Sequence, residues 1–429
     1  MISRDADLRY ATRPAGISGH LNLFFGLSRE AYIDQPTIMN TQENLIGGLP
    51  QIMHHSSSCS APGRAITDED IIGMESNHDS FPISDIDVKI ILYEISGRCN
   101  ARCPFCPTGS GRLNEHASRF IPVEEFRDGI NRLYELNFLK KDTQVGLYNW
   151  GDPLLHPELE KIMSVLTDVD LNYSLSSNGS RFVPVSPMYL DNLAVLRFSL
   201  PGFSQQSYDR VHGLQFGKVL EHIRQWIEVL PDFTVEIAYF LYNFNYSEMK
   251  AAFEYFSDLK VVFNVKMPFL MDFYDASAVL SGRSNPERME EISKYLHLEY
   301  IDAIKIQQPG DYLCPLLSSQ LVIDEYNNVV TCCAISKTSN YYSLGSLISL
   351  DREQILGLKS SVPICRGCTR IGLPYWFTTA DEWLPGAVLE HYRKDRDTGR
   401  FPGSGQEGMM NNRSAMKKML SVLKKMHPG

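Results

Sequence analysis

From residue 87 onward the chain alternates short apolar, β-branched runs with longer stretches of helical period. Asp87–Glu94 is the first run, and Gln144–Tyr148, Asn172–Ser176, Val195–Leu200, Thr234–Leu241 and Lys260–Met267 follow it. These six read as strands. Between them, Pro122–Leu136 places Phe126, Ile130, Leu133 and Leu136 on one helical face, with Pro122 suited to a first turn. Pro157–Leu166, Phe216–Leu230 and Tyr246–Phe256 carry the same period. Strand and helix in turn predict an α/β fold with a parallel sheet. Spacing alone permits a doubly wound sheet.

A different pattern follows. Leu321–Thr331 reads as two β-rich runs around the Asn327-Asn328 turn, leading through Gly345-Ser346-Leu347 to a helix-like Arg352–Leu358. Before about Asp79 the chain mixes Ser, Gly, Pro, His and Asn with no sustained period, which predicts disorder. Met74 is then a candidate biological start. At the other end, Ser414–Met426 forms a basic amphipathic pattern behind the Gly-rich 397–408 stretch, as expected for a solvated terminal helix. The predicted organisation is a disordered extension over 1–80, an α/β unit over 81–305, a small α+β unit over 306–385 and a tail over 386–429. No internal repeat is present.

Composition narrows the function classes. A length of 429 residues supports about two domains, and the formal charge of −10 argues against broad nucleic-acid binding. No apolar run approaches the ~18 residues of a membrane span.

The chemistry lies in the cysteines. Cys99, Cys103 and Cys106 form a C-x3-C-x2-C run directly after the first predicted strand. Three thiolates from one short loop can hold three corners of a [4Fe-4S] cluster and leave the fourth iron open for reaction. A structural zinc site normally closes with four ligands, and no fourth Cys or His follows before His116. Buried free cysteines are common, but three at this spacing, interrupted by Pro104 and Pro107, are a poor way to fill a core.

This loop, with the aromatic Phe105 before its third cysteine, resembles the signature of radical S-adenosylmethionine enzymes. The resemblance implies a partial (β/α)6 barrel, an open iron that chelates S-adenosylmethionine, and cleavage to a 5′-deoxyadenosyl radical that abstracts a substrate hydrogen atom. Asn149-Trp150-Gly151-Asp152-Pro153, after the second strand, is similar to the family's Gly-Gly-Glu-Pro motif, with Trp150 and Asp152 departing from it. Its backbone and acidic side chain are expected to meet the cofactor's ammonium. Ser177-Asn178-Gly179 resembles the family's Thr-Asn-Gly turn, and Ser199 a polar position near the nucleoside or methionyl part. His212 reads as an exposed or capping histidine rather than a base.

Cys314, Cys332-Cys333 and Cys365-x2-Cys368 form a second set. The hairpin would bring Cys314 and Cys332 together, and four thiolates suit a complete second cluster or a tetrahedral zinc. The pattern resembles a twitch domain, the shortened form of the SPASM domain, and most of all that of the aminocyclitol dehydrogenase of butirosin biosynthesis. With nine cysteines in all, three for the radical cluster and four for an auxiliary [4Fe-4S] cluster leave Cys59 and one of Cys332 and Cys333. Register after the hairpin assigns Cys332 as the ligand, with Cys333 as its substitute. An auxiliary cluster without a free iron can accept the second electron of a dehydrogenation. A spare Cys333 is a candidate hydrogen donor in an epimerisation, with a buried structural thiol as the alternative.

The expected function is therefore hydrogen-atom abstraction from a small polar substrate, of sugar or aminocyclitol type, in natural-product assembly, giving oxidation or epimerisation. The segment before the barrel does not resemble the small winged-helix module that recruits leader peptides. Maturation of a ribosomal peptide is the alternative within the family, and a non-catalytic iron–sulfur or zinc protein is the alternative outside it. A reducing partner such as flavodoxin or ferredoxin, no nucleic acid, no membrane and a cytoplasmic location complete the expectation.

Overall fold

The computed structural model describes residues 66–73, 87–111, 118–297, 314–376 and 378. Six strands run parallel: β1 (Ile90–Tyr93), β2 (Gln144–Gly146), β3 (Tyr173–Ser177), β4 (Leu193–Leu200), β5 (Val235–Phe240) and β6 (Val262–Lys266). Each pairs with its successor, so their spatial order is their chain order. A doubly wound sheet reverses strand order at a switch point. These six have no reversal, which makes them the wall of a partial barrel. All four residues of β1 are buried, as a parallel strand covered on both faces requires.

Helices follow the strands as their patterns predict. Phe126, Ile130 and Leu133 form the buried stripe of α2 (Val123–Glu135), with Leu136 buried at its cap. Leu159, Ile162, Met163 and Leu166 do the same for α3 (Leu159–Asp168). Then come α4 (Gln205–Val211), α5 (Phe216–Val229) and α6 (Tyr246–Phe256). Two helices beyond β6 were not foreseen, α7 (Phe273–Leu280) and α8 (Pro286–Ser293). Both are short, and two turns give period too little length to register.

The expected hairpin is present, but its first strand does not stand apart from the barrel. β7 (Gln320–Ile323) pairs in parallel with β1 along Ile90↔Gln320 to Tyr93↔Ile323. β8 (Asn328–Val330) and β9 (Ser343–Ser346) then extend the same sheet antiparallel, giving nine strands. The seam is specific. Tyr93 Oη donates to Asn327 Oδ1, and Asn327 Nδ2 donates to the Glu125 carbonyl at 2.9 Å. Asn327 itself holds the left-handed conformation of the turn, φ 61°, which Asn tolerates better than most residues. Gly129 of α2 lies over this pair: a Cβ there would stand 1.9 Å from Tyr93 Oη. Arg352 also donates to the terminal carbonyls of Leu136 and Asn137, both at 2.9 Å, meeting acceptors that a helix end leaves unmatched.

The expectation of disorder through residue 80 needs correction for residues 66–73. There α1 (Asp68–Ile72) opens on a Thr67 capping box and buries Ile71 completely. Asp68 accepts from Tyr274 Oη at 2.8 Å, Ser339 Oγ at 3.1 Å and Asn340 N at 3.1 Å. Two buried positions in a five-residue helix are too few to show a period, so the sequence does not reveal it. This segment precedes Met74 and belongs to the fold. Cys59, the rest of 1–80 and the 386–429 tail lie outside the described residues.

Candidate active site and auxiliary cysteine site

The Cys99–Cys106 loop leaves the C-terminal end of β1, the end at which barrel enzymes place their chemistry. Two backbone bonds fasten it across the barrel mouth: Arg102 N to the His212 carbonyl at 2.8 Å, and Asp272 N to the Phe105 carbonyl at 3.1 Å. Phe105 is buried, edge-on to Tyr295 with centroids 5.0 Å apart and stacked with Tyr242 at 6.2 Å. Gly109 touches the loop so closely that a Cβ would stand 2.5 Å from Cys103 N.

Burial pushes the Cys99 thiol up to about 12 and raises Cys103 and Cys106, and the thiols act electrostatically on one another. Thiolates in such a place need positive charge and N–H donors. The donors are present. Ala101 N–H serves Cys99, Thr108 and Gly109 N–H serve Cys106, and Asn178 Nδ2 lies 3.5 Å from Cys99 Sγ. Among the described residues no three His, Cys, Asp or Glu side chains are gathered for a single metal ion, whereas the thiolates of a cubane stand apart by the width of the cluster. This donor set fits an iron–sulfur group held on three sides.

The Asn149–Pro153 loop lies against it. Gly151 is required, because a Cβ would stand 1.8 Å from the Ser96 carbonyl. Asp152 is held within the chain itself. Its Oδ1 accepts from Leu154 N at 3.0 Å, its Oδ2 from Asn178 N at 2.9 Å, and Ser177 Oγ lies 2.9 Å from both oxygens. Through those bonds the side chain ties the loop after β2 to the turn after β3. Burial nevertheless raises Asp152 to about 6. What the loop has to offer a ligand is elsewhere: Asn149 Nδ2 and Trp150 Nε1 are buried donors without partners. Asp152→Ala should cost about 3 kcal/mol or more by stranding Ser177 Oγ and two N–H groups, as urea denaturation would measure.

His212 caps α4 and is buried rather than exposed, edge-on to Tyr208 at 5.5 Å, with Nδ1 unpartnered. Burial lowers its pKa from 6.5 to about 4. Between those values the unfolded chain binds a proton that the folded chain refuses, so stability from this group is present above pH 6.5 and is lost as pH falls toward 4. The loss is about 3 kcal/mol at most. Asp152 titrates in the opposite sense over part of that range, so the difference between wild type and His212→Phe isolates the effect: it should shrink from pH 6.5 to 4 in parallel denaturation series.

Inside the sheet, Leu196, Phe198 and Leu200 are fully buried and Arg197 and Ser199 alternate with them on the opposite face. Arg197 pairs with Glu236 at 2.8 Å, and Asn264 Nδ2 donates to Glu236 at 3.0 Å. A polar ladder thus crosses β4, β5 and β6 one step from Ser199.

Cys314, Cys332, Cys365 and Cys368 line one cavity with Leu316, Ile335 and Phe273 among the apolar walls. Cys365 and Cys368 come from the Pro363–Arg370 helix, whose Gly367 lies so close to α1 that a Cβ would stand 1.9 Å from the Ile71 carbonyl. Cys333 is not part of the lining. Its side chain bonds to Cys332 and Gln320. Burial raises Cys314 and Cys368 and pushes Cys365 up to about 12, while the neighbouring Cys333 lowers Cys332. Lys359, buried with Nζ 3.3 Å from the Thr331 carbonyl, sets a positive charge beside Cys332 and Cys365. Four thiols, dry walls and one buried cation suit an all-thiolate cluster. Lys359 was not singled out from sequence: it lies one residue past the predicted Arg352–Leu358 helix, and a lysine ordinarily faces solvent.

No curated protein matches the chain. Among solved structures it is similar to Streptococcus suis SuiB bound to precursor peptide SuiA, at 14% identity over 67% of this chain and 68% of that chain, TM-score 0.47. It is also similar to anSMEcpe with bound AdoMet, at 14% identity over 76% and 98%, TM-score 0.41. A third is BtrN in complex with AdoMet and 2-DOIA, at 13% identity over 66% and 93%, TM-score 0.34. Among the described residues no helix is long and apolar enough to cross a membrane. Residues 93–256, which carry the cysteine loop, the Asn149–Pro153 loop and β2 to β5, match the Radical SAM superfamily.

Proposed function

We propose that this chain abstracts a hydrogen atom from a small polar substrate of sugar or aminocyclitol type, and that an auxiliary [4Fe-4S] cluster on Cys314, Cys332, Cys365 and Cys368 takes part in the reaction's outcome. The observation that carries the reading is the gathering of those four cysteines around one cavity, on a segment whose first strand pairs with β1. When bound, the reduced cluster on Cys99, Cys103 and Cys106 supplies the electron that cleaves S-adenosylmethionine to a 5′-deoxyadenosyl radical.

The chain's own groups do the rest. Asn149 and Trp150 offer unmatched donors to the cofactor, and Asp152 holds their loop against Ser177 and Asn178. Ser199, Arg197, Glu236 and Asn264 present hydroxyl, guanidinium, carboxylate and amide groups on the face of the sheet opposite its helix-packed side, which suits a polyhydroxylated substrate. The auxiliary site, with Lys359 balancing thiolate charge, is suited to accept one electron, and this favours oxidation over epimerisation. Cys333, buried beside Gln320, is better placed as a structural thiol than as a hydrogen donor. Exposed iron–sulfur chemistry requires a reducing compartment, the cytoplasm, and a small reductant such as flavodoxin or ferredoxin.

The test is anaerobic incubation with dithionite, S-adenosylmethionine and carbon-deuterated aminocyclitols or sugars. Deuterium recovered in 5′-deoxyadenosine identifies the substrate class. Transfer only from a peptide substrate would replace this reading with peptide maturation.

A further inference from the structure

Four cysteines share one cavity only if the segments that carry them are held in place. Cys314 precedes the short Leu316–Ser319 helix, Cys332 follows β8, and Cys365 and Cys368 lie on the Pro363–Arg370 helix. The helix α1, from far upstream in the chain, fastens three walls of that cavity. First, Gly367 stands between Cys365 and Cys368, and the Cβ it lacks would lie 1.9 Å from the Ile71 carbonyl and 2.7 Å from Ile71 Cγ2. Second, Asp68 Oδ1 accepts from Ser339 Oγ and its Oδ2 from Asn340 N, both at 3.1 Å, which fixes the loop that runs on from Cys332. Third, Tyr274 Oη donates to Asp68 Oδ1 at 2.8 Å, and the residue before Tyr274, Phe273 of α7, lines the cavity.

A five-residue helix has too few internal bonds to stand by itself. Here it is made rigid from several sides. The Thr67–Asp70 capping box closes its first turn, Ile71 is fully buried, and Asp68 is 4% exposed. Removing the Asp68 carboxyl would strand the Tyr274, Ser339 and Asn340 donors together. A metal–thiolate centre tolerates little slack in its ligands, and losing groups that orient them from behind typically costs roughly 10- to 100-fold in metal affinity.

We propose that α1 is a built-in strap of the auxiliary cysteine site, holding the Pro363–Arg370 helix, the loop after Cys332 and α7 against one another. Asp68 is its positioning residue, acting on the cysteines through Tyr274, Ser339 and Asn340. That the site holds a cluster rests on the function proposed above, whereas the strap stands on the contacts themselves.

The test uses the full-length chain with two readouts. In the metal-free protein, iodoacetamide alkylation mapped by mass spectrometry gives a rate for each cysteine. In the anaerobically reconstituted protein, iron released to a chelator gives the hold on each cluster. Asp68→Ala and Gly367→Ala loosen α1 from opposite sides. Each should speed alkylation of Cys332, Cys365 and Cys368 about tenfold, with Cys99, Cys103 and Cys106 within about twofold of wild type, and about four irons should leave about tenfold faster. Asp68→Asn keeps an oxygen for Tyr274 and Ser339 and should recover most of the loss. Equal acceleration at the cysteines of both sites, which is general loosening, or unchanged rates at Cys365 and Cys368, would overturn the strap. A wild type that takes up only about four irons would overturn the auxiliary cluster, and the alkylation pattern would still decide the strap.

Discussion

Cys103→Ala is expected to abolish 5′-deoxyadenosine formation and to lower the iron bound by the reconstituted protein from about eight to about four per chain. Cys103 is the central thiol of its loop, and the loop has no spare ligand: Phe105 is locked among Tyr242 and Tyr295, and Gly109 presses on the Cys103 backbone. A neighbouring group therefore has no easy route into the vacated corner. The four irons expected to remain are those of the auxiliary cluster proposed above, whose cysteines come from other segments. Iron analysis with product chromatography checks both halves. Retention of eight irons would show that Cys103 is not a ligand.

The second large effect separates two adjacent cysteines. Cys332→Ala should lower iron by about four, with the radical cluster retained, while Cys333→Ala should leave about eight. Cys332 lines the cavity with Cys314, Cys365 and Cys368, receives Ala334 N–H at 3.5 Å on its sulfur, and feels the Lys359 charge. Cys333 is engaged with Gln320 outside that lining. The same Cys332→Ala protein should still cleave S-adenosylmethionine but release no oxidised product, because the substrate radical has lost its electron acceptor. The reverse pattern of iron loss would exchange the roles of the two residues.

The parts of this protein that sequence reveals are those with local periodicity or fixed spacing. The six barrel strands and the α2 stripe of Phe126, Ile130 and Leu133 follow from repeats within a few residues. The Cys99–Cys106 loop follows from three cysteines in eight positions. The turn at Asn327 follows from residue chemistry. Sequence does not reveal pairings made across long separations. Parallel pairing of β7 with β1 joins residues about 230 positions apart, and neither strand's pattern names its neighbour. The motif around Asp152 was visible in the sequence, whereas its hydrogen-bond partners Ser177 and Asn178 were not. Asp68 and Lys359 were missed for the same reason: a charged residue announces burial only when its partner is known. Likewise α1 gains its stability from what Asp68 and Ile71 meet across the fold, Tyr274, Ser339 and the distant Gly367, rather than from bonds within its own five residues.

The central claim is that one continuous sheet carries two iron–sulfur sites, the first of them able to cleave S-adenosylmethionine. The most direct measurement is anaerobic reconstitution of the wild-type chain, with iron and acid-labile sulfide counted, followed by dithionite and S-adenosylmethionine. About eight irons and eight sulfides, with 5′-deoxyadenosine formed, is the predicted result. About four irons with zinc at the second site, or no cleavage by a fully loaded and reduced protein across the substrate panel, would contradict it.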